Sequence, residues 1–86
     1  MAQINGLDAS EEPRVRSVEV RIAGRIRRGE VSEGEVLTRE SLVQPRGFIE
    51  PDDAKYADAA LDNLTAQGML DHVFAYSYQV RPLLQR

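Results

Sequence analysis

Residues 56–70 read Y-A-D-A-A-L-D-N-L-T-A-Q-G-M-L, and residues 71–80 continue as D-H-V-F-A-Y-S-Y-Q-V. Ala57, Ala60, Leu61 and Leu64 recur at the spacing of one helical face and form an apolar stripe. Gly68 stands where a left-handed C-terminal cap is needed, and Met69 and Leu70 return to the core. Phe74, Tyr76, Tyr78 and Val80 then alternate with Ala75, Ser77 and Gln79, the two-residue period of a strand face. Pro82 ends the strand. A helix therefore feeds directly into a strand or hairpin.

Upstream, Pro51, Asp52 and Asp53 make the strongest helix start in the chain. Proline is tolerated in the first turn, and carboxylates there meet the positive end of the helix dipole. The preceding L-T-R-E-S-L-V offers Thr38 as a capping hydroxyl for about a turn and a half of helix. Pro45 closes it, because a residue before proline is pushed away from the helical region. Arg46 and Gly47 continue the turn, and Phe48 and Ile49 form an apolar plug. Residues 30–37 are expected to be a loop or a short edge strand turning at Gly34.

Residues 13–28 carry two competing periods. Val15, Val18, Ile22 and Ile26 share a helical face, whereas Val18, Val20, Ile22, Gly24 and Ile26 fit one face of a strand. The start S-E-E-P at residues 10–13, the length, and Gly29 at a helix stop favour the helix. The β-branched residues and Gly24 leave the strand open. The expected architecture is a mostly helical α+β domain over residues 13–82, with three helices and a C-terminal strand or β-hairpin. Residues 1–12 are expected to be a flexible tail, and residues 83–86 a second one.

At 86 residues, the chain can hold one modest core. With no cysteine there is no disulfide framework and no thiolate site, and a small domain lacking such staples leans on a partner or on self-association. No apolar run reaches the roughly 18 residues needed to span a bilayer, so a soluble, cytoplasmic protein without membrane contact is expected. The net charge of −3 hides a polarised chain. Residues 1–12 carry −3, residues 13–30 carry +4, residues 31–63 carry −5 and residues 64–86 carry +1. Such asymmetry points to oriented binding, to nucleic acid or to an oppositely patterned protein.

A long helix, a short helix, a turn, a third helix and a closing strand or hairpin resembles the winged helix-turn-helix superfamily. L-D-N-L-T-A-Q-G-M-L is similar to the third-helix ending of bacterial winged-helix regulators, and L-T-R-E-S-L-V to their second helix. The resemblance covers roughly residues 13–82. It implies a third helix lying in the major groove and a wing touching the flanking backbone. The outward positions would then be Lys55, Tyr56, Ala59, Asp62 and Asn63, with the wing near residues 71–77. The chain departs from that pattern. Asp52, Asp53, Asp58 and Asp62 place carboxylates on the helix that would approach phosphates, and each opposes duplex affinity.

The positive candidates lie earlier. On a helix, Arg14, Arg21, Arg25 and Arg28 fall along one exposed side, suited to phosphates or to an acidic protein face. The alternative is a solvated face paired with local glutamates. Tyr76, Tyr78 and Phe74 fit base stacking or, with no basic residue interleaved, a core face. His72 is the only histidine and has neither a metal-ligating companion nor a nucleophile beside it. Asp52 and Asp53 lack the spacing of a calcium loop, and Ser41 and Ser77 lack a nucleophile-elbow context. No enzyme, cofactor or metal site is expected.

Two functions follow as expectations. The first is a small DNA-associated regulator of winged-helix type, a homodimer that touches DNA through Arg14, Arg21, Arg25, Arg28 and Arg46, with Lys55, Tyr56 and Asn63, rather than through a fully conventional third helix. The second is a protein-interaction module, or a small inhibitor such as viruses encode, without DNA contact. It would offer Asp52, Asp53, Asp58 and Asp62 to a basic partner.

Overall fold

The computed structural model describes residues 3–4 and 7–82, with side chains from residue 10 onward. The expected C-terminal tail, residues 83–86, lies outside the described residues, as does part of residues 1–12. Within that first stretch Gln3–Ile4 (β1) pairs antiparallel with Leu7–Asp8 (β2). Ala9–Glu11 form a 3₁₀ turn.

Residues 12–27 form a helix, not a strand. In α1, Glu12–Arg27, the buried side chains are Val15, Val18, Glu19, Ile22, Ala23 and Ile26. Val20, which a strand face would bury, is 61% exposed. The N-cap is Glu11 rather than Ser10 and makes no side-chain capping bond. Gly29 ends the helix at φ +80°, a conformation that costs glycine nothing.

The chain turns at Gly34, also at positive φ, into the short strand β3, Val36–Leu37. Thr38 caps α2, Arg39–Leu42, through a reciprocal box: the Ser41 amide donates to Thr38 Oγ1 at 3.1 Å and the Thr38 amide donates to Ser41 Oγ at 2.9 Å. After α2 the backbone loops round Pro45 and returns. Ile49 N–H donates to the Leu42 carbonyl at 2.8 Å, which seats Ile49 fully in the core.

The third helix begins differently from expectation. Pro51–Tyr56 wind as a 3₁₀ helix, and α3 proper is Ala57–Ala66. Gly68, at φ +88°, turns the chain out of it. The following stretch is a hairpin: β4, Leu70–Phe74, and β5, Ser77–Val80, are antiparallel with a register shift between His72 and Phe74. The reversal at residues 75–76 corrects the expectation of one strand face from Phe74 to Val80. Tyr78 and Val80 are buried, whereas Phe74 and Tyr76 are 76% and 73% exposed. In the sheet β5 lies between β3 and β4.

The result is an α+β fold of three helices and a three-stranded antiparallel sheet. Its core joins Val15, Val18, Ile22 and Ile26 of α1 to Leu61 and Leu64 of α3 and to Leu70, Tyr78 and Val80 of the sheet. Burial of such side chains contributes about 1.5–3 kcal/mol each before entropy is counted. No helix among the described residues is long and apolar enough to cross a membrane.

Candidate interaction surface

The arginine side of α1 folds back onto its own chain. Arg14 Nη2 lies 3.4 Å from Asp53 Oδ1, and its guanidinium sits 5.6 Å from the centre of the Tyr56 ring. Arg21 donates to the Phe48 carbonyl at 2.9 Å. Arg25 stacks 4.0 Å from the Phe48 ring centre and reaches Glu30 Oε1 at 3.0 Å. Arg28 Nε binds Glu30 Oε2 at 2.8 Å. The hydrogen bond from Arg28 is the main reason the Glu30 carboxyl is held below its usual range, with the charges of Arg28 and Arg25 acting the same way. These exposed pairs contribute little energy each. They do, however, reduce the net positive field that would draw phosphates to this side.

Two residues expected to face outward do not. Tyr56 is buried, and its hydroxyl donates to Glu11 Oε2 at 3.0 Å. It stands four residues before Ala60, so it falls on the apolar stripe rather than off it. Ala59 is buried as well. Asn63 is half-buried and donates to the carboxylate of Glu19 at 3.3 Å. Gln67 donates to the other oxygen of the same carboxylate. Glu19 is thus a buried carboxylate satisfied by two amides at the junction of α1 and α3, a role its position inside an apolar stripe did not announce.

Lys55, on the 3₁₀ turn before α3, is exposed, and α3 itself carries the half-buried Asp58 and Asp62. Lys55 Nζ pairs with Glu11 at 3.3 Å, and the bond to Glu11 raises the lysine above its usual value. Arg39 of α2 reaches Asp58 at 3.4 Å. Asp62 accepts a 2.5 Å hydrogen bond from the Tyr78 hydroxyl. Burial first, and then this bond to Asp62, push the Tyr78 hydroxyl well above the usual tyrosine value. The four aspartates therefore do not share one surface: Asp53 turns toward α1, Asp62 braces the hairpin, and Asp52 and Asp58 face solvent or half-solvent. Arg46 is exposed at the mouth of a groove of about 420 Å³ between α2 and the loop after it, and makes no ion pair among the described residues.

The hairpin supplies what the spacing of residues concealed. His72 stacks on Tyr78, with ring centres 4.9 Å apart. Its Nε2 meets the Ala75 carbonyl at 2.5 Å and closes the turn. Val73, Phe74 and Tyr76 are left outside. Tyr76 lines a cleft of about 210 Å³ with Arg39, Glu40 and Asp58, so the hairpin tip, α2 and α3 form one continuous face. Exposed aromatics grouped in this way mark contact sites. The only signal in the sequence is an alternating aromatic run with no turn residue, which conceals the reversal at residues 75–76.

Among the described residues no group of three or more His, Cys, Asp or Glu is placed to hold a metal ion. Comparison with family models, with curated proteins and with solved structures returns no match for this chain.

Proposed function

We propose that this chain is a non-enzymatic winged-helix module that works by contacting protein, with the hairpin tip and the adjoining side of α2 and α3 as its working face. The observation that carries this reading is the composition of that face. Phe74 and Tyr76 project from the tip, and Glu40 and Asp58 line a cleft with Tyr76. The one cation lining that cleft, Arg39, is already paired with Asp58. Protein contact surfaces are enriched in exposed aromatics, whereas a duplex-binding face is built on unopposed Lys and Arg. The winged-helix assignment is supported by the order α1, β3, α2, α3, β4, β5 with β5 central in the sheet.

That same order favours a second reading, a DNA-associated regulator, which would use Arg21, Arg25, Arg28 and Arg46. Against it, Arg21, Arg25 and Arg28 are already engaged by the Phe48 carbonyl, the Phe48 ring and Glu30. Fluorescence anisotropy with a random duplex in low-salt buffer decides between the two, since the electrostatic contribution is then largest. The protein-contact reading expects no binding. Binding abolished by Arg21→Glu, Arg25→Glu and Arg28→Glu together would replace it with the second.

A further inference from the structure

The described chain exposes large apolar side chains at Val20, Val36, Val73, Phe74 and Tyr76. Three of these sit at the hairpin tip. Val36 is on the short edge strand β3, and Val20 stands alone on α1. The free edge of β4 offers no long template for strand addition, because its register shifts between His72 and Phe74 and such irregularity blunts an edge. The grooves beside α2 are shallow and of mixed charge. The hairpin face and the outward ridge of α1 are left, and they complement each other.

The ridge consists of Arg16, Val20 and Arg27. At about 100° per residue these three lie within roughly 40° of arc. All three are exposed, and neither arginine has an ion-pair partner among the described residues. The ridge therefore presents an apolar side chain between two free guanidinium groups. The hairpin face presents a complement, an aromatic tip beside the exposed Glu40 and beside Asp58, whose charge Arg39 already shares. Arginine also stacks well on tyrosine and phenylalanine rings, and this chain already uses that contact between Arg25 and Phe48.

We infer that the hairpin face of one molecule docks the Arg16–Val20–Arg27 ridge of a second copy, head to tail. The inference rests on reading the hairpin as a protein-contact face. Val20 packs on Phe74 and Tyr76, one guanidinium meets the carboxylate of Glu40, and the other joins Arg39 at Asp58. The two patches are small beside the roughly 1,200 Å² that a stable complex buries, so the association is transient. Because the two faces differ, every docked copy leaves one free face of each kind, and growth does not stop at a dimer unless a ring closes.

Sedimentation of the full chain over a wide concentration range, at low and at high salt, tests this. The weight-average mass is expected to rise continuously past that of a dimer at low salt and to fall back to the monomer at high salt. Val20→Asp and Phe74→Asp, both at exposed positions, should each remain monomeric with unchanged thermal melting. Mixed in equal amounts they should form a heterodimer that grows no further, because each variant keeps the face the other has lost. A monomer at millimolar concentration in low salt, a species that stops at a symmetric dimer, or a mixture that fails to associate would each overturn the inference. The duplex titration above reads the underlying protein-contact proposal separately, so the two can fail independently.

Discussion

Gly47 is the residue whose identity is most tightly constrained by its surroundings. A Cβ there would stand 2.2 Å from the Leu42 carbonyl oxygen, a backbone atom that the Ile49 amide already holds. Gly47→Ala must therefore move the loop that seats Ile49, and a loss of about 2–3 kcal/mol is expected in urea unfolding. Gly68 is constrained for another reason. Its φ of +88° strains any other residue, but a Cβ would meet nothing within 4 Å, so Gly68→Ala should cost only about 1–2 kcal/mol. A loss at Gly47 no larger than at Gly68 would show that the loop yields easily. Thr38 is legible in the sequence as a cap, because capping is a local contact between neighbours. Thr38→Ala should cost about 1 kcal/mol, read as a shift in the urea midpoint.

The contact between α3 and the hairpin carries a pH dependence. Tyr78 is buried and its hydroxyl donates to Asp62, so its pKa in the folded protein lies above the ordinary value of 10.0. A raised folded-state pKa means that the fold holds the proton more tightly than the unfolded chain does. Stability is therefore fully present below about pH 10 and declines as the pH rises above it. Thermal melting across the alkaline range should show this decline, and Tyr78→Phe should make it shallower. An unchanged slope in the variant would assign the alkaline loss to other groups. Between α1 and α3, Glu19 accepts from Asn63 and Gln67. Glu19→Ala leaves two amides without their partner, and about 1–3 kcal/mol should be lost, as is usual for a disrupted buried polar contact. Helix α1 itself was readable from its 3.6-residue period, its proline start and its glycine stop. The position of Tyr56 was readable too, four residues before Ala60, but the outward positions implied by the family resemblance conflicted with that spacing.

Over the whole molecule, the polarised charge of the sequence resolves into two outward surfaces of opposite character, a basic ridge on α1 and an acidic aromatic face at the hairpin. A chain of this size has stability of only a few kcal/mol to draw on, so surface contacts between copies would add to it only at high concentration. What the sequence by itself determined was local: the apolar periods of α1 and α3, the Thr38 cap, the glycine stops and the α+β class. Each depends on residues within a turn or two of one another. Only the tertiary structure decided where the arginines go and which aromatics face water. Arg14, Arg21 and Arg25 are engaged by Asp53 and Phe48, residues 23 or more positions away in the chain. Phe74 and Tyr76 are exposed because the strand reverses at residues 75–76, and that reversal is set by pairing across β4 and β5 and by the His72 contacts rather than by a turn-forming residue.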